Sequence, residues 1–370
     1  MLFTKTALKI ITKYLVRINM GIKFYIINFF NYFITLHRKQ NDILYAFYDL
    51  ENSTIDFSFC IFLVLADHAR IRAGCNSLHI VIVPSSNTEG VKYGHLKAFK
   101  DANVKNIESN INWLKYNIVV PCCRLIPAFK HITVCNSRKE AYAFRMSLSK
   151  HIFPNSARGN ALHNPEKYIH PSKIKEALEN SVIPVPSIHA TPKSIEYVNK
   201  WLINNCSTQN VITVTLRESD IDSNKDSNLK EWSKFIKSVD PNLYSLVILR
   251  DSDKDLYPIP KELKGFTIFH QAVWNIELRA ALYELSYLNL FVNNGPCILC
   301  VLNKKARYLV FGMIPPGTSK EGLSKLGYIQ GESWPDATKL QKFVWQDAKY
   351  EVIKNEFDEM CSKIEKYYST

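Results

Sequence analysis

"NLFVNNGPCILCVLNKKARYLVFG", Asn289–Gly312, reads as an apolar run, the turn Asn293-Asn294-Gly295-Pro296, a short apolar helix, and a second apolar run. Two buried strands joined through a helix must lie parallel, because a tight hairpin cannot return the chain to the same end of a sheet. The turn between them is rigid and polar. Gly295 lets the backbone approach a ligand closely, and Pro296 suits a helix's first turn, where its missing N–H bonds nothing. Freed amides at such a helix start favour phosphate, although the same residues also read as a tight turn with Asn caps.

The alternation extends outward from this stretch. Upstream lie the helix "SIEYVNKWLINN", the strand "NVITVTLRES", the helix "NLKEWSKFIKSV", the strands "YSLVILRDSD" and "GFTIF", and the helix "NIELRAALYELS". A second series occupies the first half of the chain: the strand "ILYAFYDL", the helix "IDFSFCIFLVLADHARIRAG" stopped by Gly74, the strand "LHIVIVPSS", a strand-like run "YNIVVPCC", and "HITVCNS" before another helix. Alternating strands and helices in two blocks give an α/β protein with two Rossmann-like domains facing across a cleft. Expected boundaries are 1–40 for an N-terminal extension, 41–152 for the first domain, 153–190 for a proline-rich connection, 191–345 for the second domain and 346–370 for a C-terminal helix. "SWPDATKLQKFVWQDAKYEVIKNEFDEMCSKIEKYY" is read as a terminal helix with apolar residues at helical spacing, packed back on the body.

Composition narrows the partners. With 370 residues and 46% hydrophobic content the chain can fill two cores. Lys and Arg number 47 against 34 Asp and Glu, a formal charge of +13, which predicts an anionic partner. The nine cysteines show no repeated pair spacing, so a reducing, cytoplasmic compartment is expected, with Cys297 and Cys300 as buried thiols rather than a metal or redox pair. Residues 1–40 contain no acid. Lys5, Lys9, Lys13 and Arg17 recur every four residues beside Leu2, Leu8, Ile11 and Leu15, an interfacial pattern fitting an anionic inner-membrane surface. Phe24 to Leu36 is too short to span a bilayer, and no small-x-small cleavage site follows it. A helical extension packed on the core is the other reading of this segment.

In open α/β sheets, ligands bind beyond the carboxyl ends of the strands. Asn293, Asn294, Gly295 and Pro296 stand at one such end. Arg217 and Glu218 stand at another, in "VITVTLRESD", and Arg250 repeats the arrangement in "YSLVILRDSD". Guanidinium makes bidentate, charge-assisted contacts with phosphate oxygens, so this set reads as a site for a nucleotide diphosphate.

These residues resemble a family, the bacterial glycosyltransferases of GT-B architecture that build surface polysaccharide, in the heptosyltransferase-like and fucosyltransferase-like neighbourhood. "TLRESD" looks like the strand-end arginine motif, "FVNNGP" like the strand-loop-helix holding the donor diphosphate, and "AVWNIELRAALYE" like the helix before it. The turn departs from the acidic-Thr/Ser-Gly type of heptosyltransferases. The resemblance implies an N-terminal acceptor domain and a C-terminal domain binding a nucleotide sugar through Arg217, Glu218, Arg250, Trp274, Asn275, Glu277 and Asn293 to Pro296. It also implies a catalytic base on the loop after the first strand, "YDLENSTIDF", where Asp49, Glu51 and Asp56 are available. Asp56 stands at the helix entrance where such enzymes place an Asp, a position that a helix dipole by itself also favours.

Two look-alikes are set aside. "DIDSNKDSNLKE", Asp220 to Glu231, has the oxygen spacing of a calcium loop, but Lys225 occupies the position that needs glycine. "DSD" at Asp251 to Asp253 imitates the metal motif of the other large glycosyltransferase architecture, which the two-domain layout disfavours. The sequence therefore predicts a glycosyltransferase without metal or cofactor, using a nucleotide-diphosphate sugar and a glycan or lipid-linked acceptor, with no nucleic-acid partner. A sugar-nucleotide epimerase of the same layout and a non-catalytic nucleotide- or polyanion-binding protein are the alternatives.

Overall fold

The computed structural model describes residues 42–86, 106–148, 151–154, 168–219, 225–314 and 318–369. The basic segment 1–40, and with it the expected membrane contact, lies outside these residues, as does most of the first half of the calcium-like loop. Among the described residues no helix is long and apolar enough to cross a membrane.

Two all-parallel sheets form the framework. The first contains β1 (Ile43–Asp49), β2 (Ser77–Val83), β3 (Phe129–Val134) and β4 (Ile152–Phe153) in the order β3-β2-β1-β4. Helix α1 (Phe59–Arg72) joins β1 to β2 and is apolar nearly all round, with Phe59 through His68 buried. A helix without a polar face must be covered on every side. It ends where Gly74 adopts φ +68°, a left-handed conformation that glycine takes without steric cost.

"YNIVVPCC" is not a strand. Residues Ile107–Leu125 are helical throughout: α2 (Ile107–Leu114), a π-turn (Lys115–Val119), a short α segment (Val120–Cys122) and a 3₁₀ turn (Cys123–Leu125). Asn106 caps the start by accepting from the Ser109 amide, and Ile111, Ile118, Val119, Cys122 and Cys123 are buried. The continuous apolar letters reflect a helix covered on much of its surface, which over a short window has the same pattern as a buried strand. Helix α3 (Arg138–Met146) then covers the outer face of this sheet, and α4 (Pro171–Glu179), inside the stretch read as a connection, packs on α1.

The second sheet contains β5 (Val211–Thr215), β6 (Ser245–Leu249), β7 (Thr267–Ile268), β8 (Leu288–Val292), β9 (Tyr308–Phe311) and β10 (Gln341–Val344), in the order β7-β6-β5-β8-β9-β10. Its helices are α5 (Pro192–Asn205), α6 (Leu229–Ser238), α7 (Ile276–Leu285), α8 (Ile298–Val301) and α9 (Tyr350–Tyr368). β10 lies within the stretch read as a terminal helix, whereas the helix begins only at Tyr350. "QKFV" is a four-residue edge strand, paired only with β9, and so short a run carries too few residues to display a period. The terminal helix α9 packs against α6 and buries Ile353, Phe357, Met360 and Ile364.

One apolar cluster runs from the inner face of the first sheet, through α1 and the helices after Asn106, to α7 and the inner face of the second sheet. The chain therefore has two Rossmann-like units facing one another, as expected. The 183–192 segment is stitched to both: the His189 amide donates to the Leu125 carbonyl at 2.8 Å and the Ile188 amide to the Leu302 carbonyl at 3.1 Å.

Candidate functional site

The strand order of the second sheet reverses direction between β5 and β8. At such a reversal the connections leaving the two strands run to opposite sides of the sheet, which makes the crevice where such sheets bind ligands. The loop after β5 carries Arg217 and Glu218, and the loop after β8 carries Asn293 to Pro296, so the topology brings two of the sequence-predicted groups to one place.

The turn after β8 is held firmly. The Asn293 amide donates to the Phe311 carbonyl at 2.9 Å, and Asn294 Oδ1 accepts from the Cys297 amide at 3.1 Å. Both expectations for these residues thus meet in one turn: it lies at the strand end, and Asn294 is a helix cap. Between them, this cap and Pro296 remove two amides that a phosphate would otherwise find. The helix that follows, Gly295–Val301, is short, so the turn offers shape and position more than a strong dipole. Cys297 Sγ donates to the Asn294 carbonyl, and burial pushes this thiol up to about 12. With Cys300 also buried and its thiol raised by burial, the pair is packing material. Among the described residues no group of three or more His, Cys, Asp or Glu is placed to hold a metal ion.

The reason for glycine at 295 is a neighbour from the other domain. Gly295 does not adopt a left-handed φ; instead, a Cβ there would stand 2.8 Å from Cδ2 of Phe57. Phe57 is buried, on the loop between β1 and α1. The loop bearing the three candidate carboxylates therefore abuts the turn at the switch point of the second sheet.

Those carboxylates are not equivalent. Asp49 is buried and forms a two-pronged ion pair with Arg138, at 2.6 and 2.9 Å. It also accepts from the Glu51 amide. Glu51 accepts from Ser85 Oγ at 3.0 Å and from the Ser86 amide at 2.7 Å, and these bonds hold its carboxyl below the usual range against a smaller effect of burial. Asp49 has both oxygens engaged, whereas both bonds to Glu51 fall on Oε2. Asp56 accepts one hydrogen bond, from the Ser58 amide at 2.8 Å, at the start of α1. It makes no ion pair among the described residues, and it is half-buried beside Phe57.

The arginines divide in the same way. Arg250 is 3% exposed and fully engaged: Nε and Nη2 donate to Glu218 at 2.9 and 2.8 Å, and Nη1 to the Tyr257 carbonyl. A guanidinium so enclosed fastens the loops after β5 and β6 together, with Glu218 as its counter-charge. Arg217 differs. Its backbone is clamped by Ser227, whose Oγ accepts from the Arg217 amide and whose own amide donates to the Arg217 carbonyl, both at 2.9 Å. Among the described residues its side chain pairs with Asp226 alone, at 3.7 Å, and its buried Nε has no hydrogen-bond partner. A buried guanidinium nitrogen left unsatisfied at a ligand crevice is a ready anion contact.

Trp274, Asn275 and Glu277 stand at the start of α7, at the seam with the first domain. Trp274 Nε1 donates to buried Asp255 and its ring meets Trp113 edge-on at 6.3 Å. Asn275 caps α7 by accepting from the Glu277 and Leu278 amides. Glu277 accepts from Thr191 Oγ1 at 2.9 Å and pairs with Arg124 at 3.2 Å. Trp274 and Glu277 thus reach the first domain, while Asn275 holds the start of α7. Phe57 and the Asp255–His270 contact at 2.9 Å were not singled out from sequence, and a lone Phe or Asp in a loop gives no signal by which to find it.

No family model matches this sequence, and no curated protein does. Solved structures are similar in shape. The ADP-heptose LPS heptosyltransferase II of E. coli superposes with a TM-score of 0.52 at 10% identity, covering 88% of this chain and 99% of that one. The chain has the heptosyltransferase fold. The E. coli heptosyltransferase WaaC with ADP (TM-score 0.39, 11% identity, 86% and 99% covered) and a family 9 glycosyl transferase of Veillonella parvula (TM-score 0.40, 9% identity, 73% and 80% covered) are more distant in shape. On this heptosyltransferase fold, Arg217 and Asn293 to Pro296 occupy the switch point of the second sheet, and Asp56 the loop that faces it.

Proposed function

We propose that the protein is a glycosyltransferase that moves a sugar from a nucleotide-diphosphate donor to a glycan or lipid-linked acceptor at the cell surface's assembly site. The observation that carries this reading is the contact of Phe57 with Gly295, which sets the loop of Asp56, a carboxylate with no ion-pair partner among the described residues, against the switch-point turn of the second domain.

The chemistry follows from those positions. Arg217, with its unpartnered Nε, and the turn at Asn294 and Gly295 hold the donor diphosphate. Asp56 takes the proton of the acceptor hydroxyl as that oxygen bonds to the anomeric carbon. The bond from that carbon to the donor phosphate breaks, and the nucleoside diphosphate leaves with the electron pair, its added charge met by Arg217. Each step needs only protein side chains and the two substrates. The heptosyltransferase neighbours act on ADP-heptose by name; a related donor is the first to try here, with residues 1–40 carrying the enzyme to an anionic inner-membrane surface.

The test is a panel of nucleotide sugars measured by thermal shift, followed by sugar transfer from any that binds. A donor that binds only the folded protein raises the melting temperature. Arg217→Ala should weaken that donor by about 10-fold or more, the equivalent of one charge-assisted phosphate contact, without lowering the melting temperature of the free protein. Unchanged donor affinity in that variant would remove Arg217 from the site.

A further inference from the structure

A cavity of about 460 Å³ opens at the seam where the first domain meets the segment leading into α5. That is the size of pockets that enclose small molecules. One wall is Arg124 to Lys130 of the first domain; the other is His189 to Pro192. None of these residues is assigned to the donor. The lining contains no carboxylate and three nitrogen-bearing side chains. Lys130 is exposed and has no ion-pair partner among the described residues, and Arg124 is 61% exposed with a single pairing, to Glu277 at the rim. His189 has a buried Nδ1 with no hydrogen-bond partner. The floor is apolar, formed by Ile126, Pro127, Phe129 and Pro192.

Inside each domain comparable cations are neutralised: Arg138 by Asp49, Arg250 by Glu218, Lys305 by Glu284. Here Lys130 and Arg124 line the cavity with one pairing between them, to Glu277, and the His189 ring stands beside them. We propose that this seam pocket binds a small amphipathic anion, a phosphate monoester carried on an apolar or planar body, with Lys130, Arg124 and His189 on the phosphate and Phe129 and the prolines against the body. Because its walls come from both sides of the seam, the bound anion ties the first domain to the base of the second.

The probes are phenyl phosphate and inorganic phosphate, titrated by calorimetry into the full chain and into Lys130→Ala, Lys130→Gln, His189→Ala and Arg217→Ala, each checked for folding by circular dichroism. Phenyl phosphate should bind saturably and more tightly than inorganic phosphate, and should weaken with added salt. Both Lys130 variants should lose about tenfold in affinity, and Arg217→Ala should bind like the parent. Absence of saturable binding to the parent, or equal affinity in the Lys130 and His189 variants, overturns the proposal. Loss of binding in Arg217→Ala would also overturn it, by placing the probe in the donor cleft.

Discussion

Gly295→Ala tests the junction on which the proposed chemistry depends. Its added Cβ would lie 2.8 Å from Cδ2 of Phe57, about 0.7–1.2 Å inside the best carbon–carbon separation. Gly295 has no left-handed φ, so the backbone accepts alanine and the whole penalty comes from the ring. Overpacking of this kind costs about 1–3 kcal/mol. Against it stands a gain of about 0.4–1 kcal/mol, because alanine restricts the unfolded chain. The net expectation is a loss on the order of 1 kcal/mol. Replacing Phe57 with valine, which has no δ carbon, removes the obstacle, so in Phe57→Val the same Gly295→Ala change should become neutral or stabilising. Urea denaturation of the four proteins in this cycle measures the coupling, expected at roughly 1 kcal/mol or more. Donor turnover, measured beside it, should fall in Gly295→Ala as the ring shifts the Asp56 loop. Additivity within about 0.5 kcal/mol would show that the two loops do not touch in solution, and the placement of Asp56 against the donor turn would fail with it.

Asp56→Asn should keep the cap on α1, since Asn accepts from an amide as Asp does, while single-turnover sugar transfer falls about 10²–10⁴-fold; an unchanged rate places the base elsewhere. Asp49→Asn should do the reverse, losing on the order of 1.5–3 kcal/mol of stability with the Arg138 pair while folded molecules still turn over, which denaturation and activity per folded molecule will separate. Glu284 fastens the 183–192 segment through the Ala190 amide and also accepts from Asn303 and Lys305. Burial opposes its ionisation, but those hydrogen bonds win and hold its carboxyl below the usual range. A depressed folded pKa gives stability that is full above the unfolded value near 4.3 and is lost as pH falls through the folded one. Glu284→Gln should therefore flatten the acid limb of a stability–pH curve below about pH 4.5, and an unaltered limb would discount that role. Removing residues 1–40 should release the protein from anionic vesicles in a flotation assay and leave a folded body; aggregation of the shortened chain would return that segment to the core.

The sequence determined the parts of this protein whose signal is local. Strand–helix alternation, the stop at Gly74, the turn after β8 and Arg217 two residues past β5 are all set by neighbours within a few positions, where period, glycine and proline act directly on the backbone. Other elements escaped for the same reason in reverse: the apolar run within Ile107–Leu125 is buried on enough of its surface to resemble a strand, and β10 is too short to show a period. The site's division of labour was decided by tertiary structure. Arg217 and Arg250 are indistinguishable as letters at strand ends, yet one meets a carboxylate 32 positions away and is neutralised while the other is left short of partners. Asp49 and Asp56 separate likewise, because Arg138 arrives from 89 positions downstream. Charge pairing in a folded interior depends on which side chains the topology brings within about 3 Å, a distance that sequence spacing does not encode. The same topology set Phe57 on Gly295 and so joined the two halves of the site.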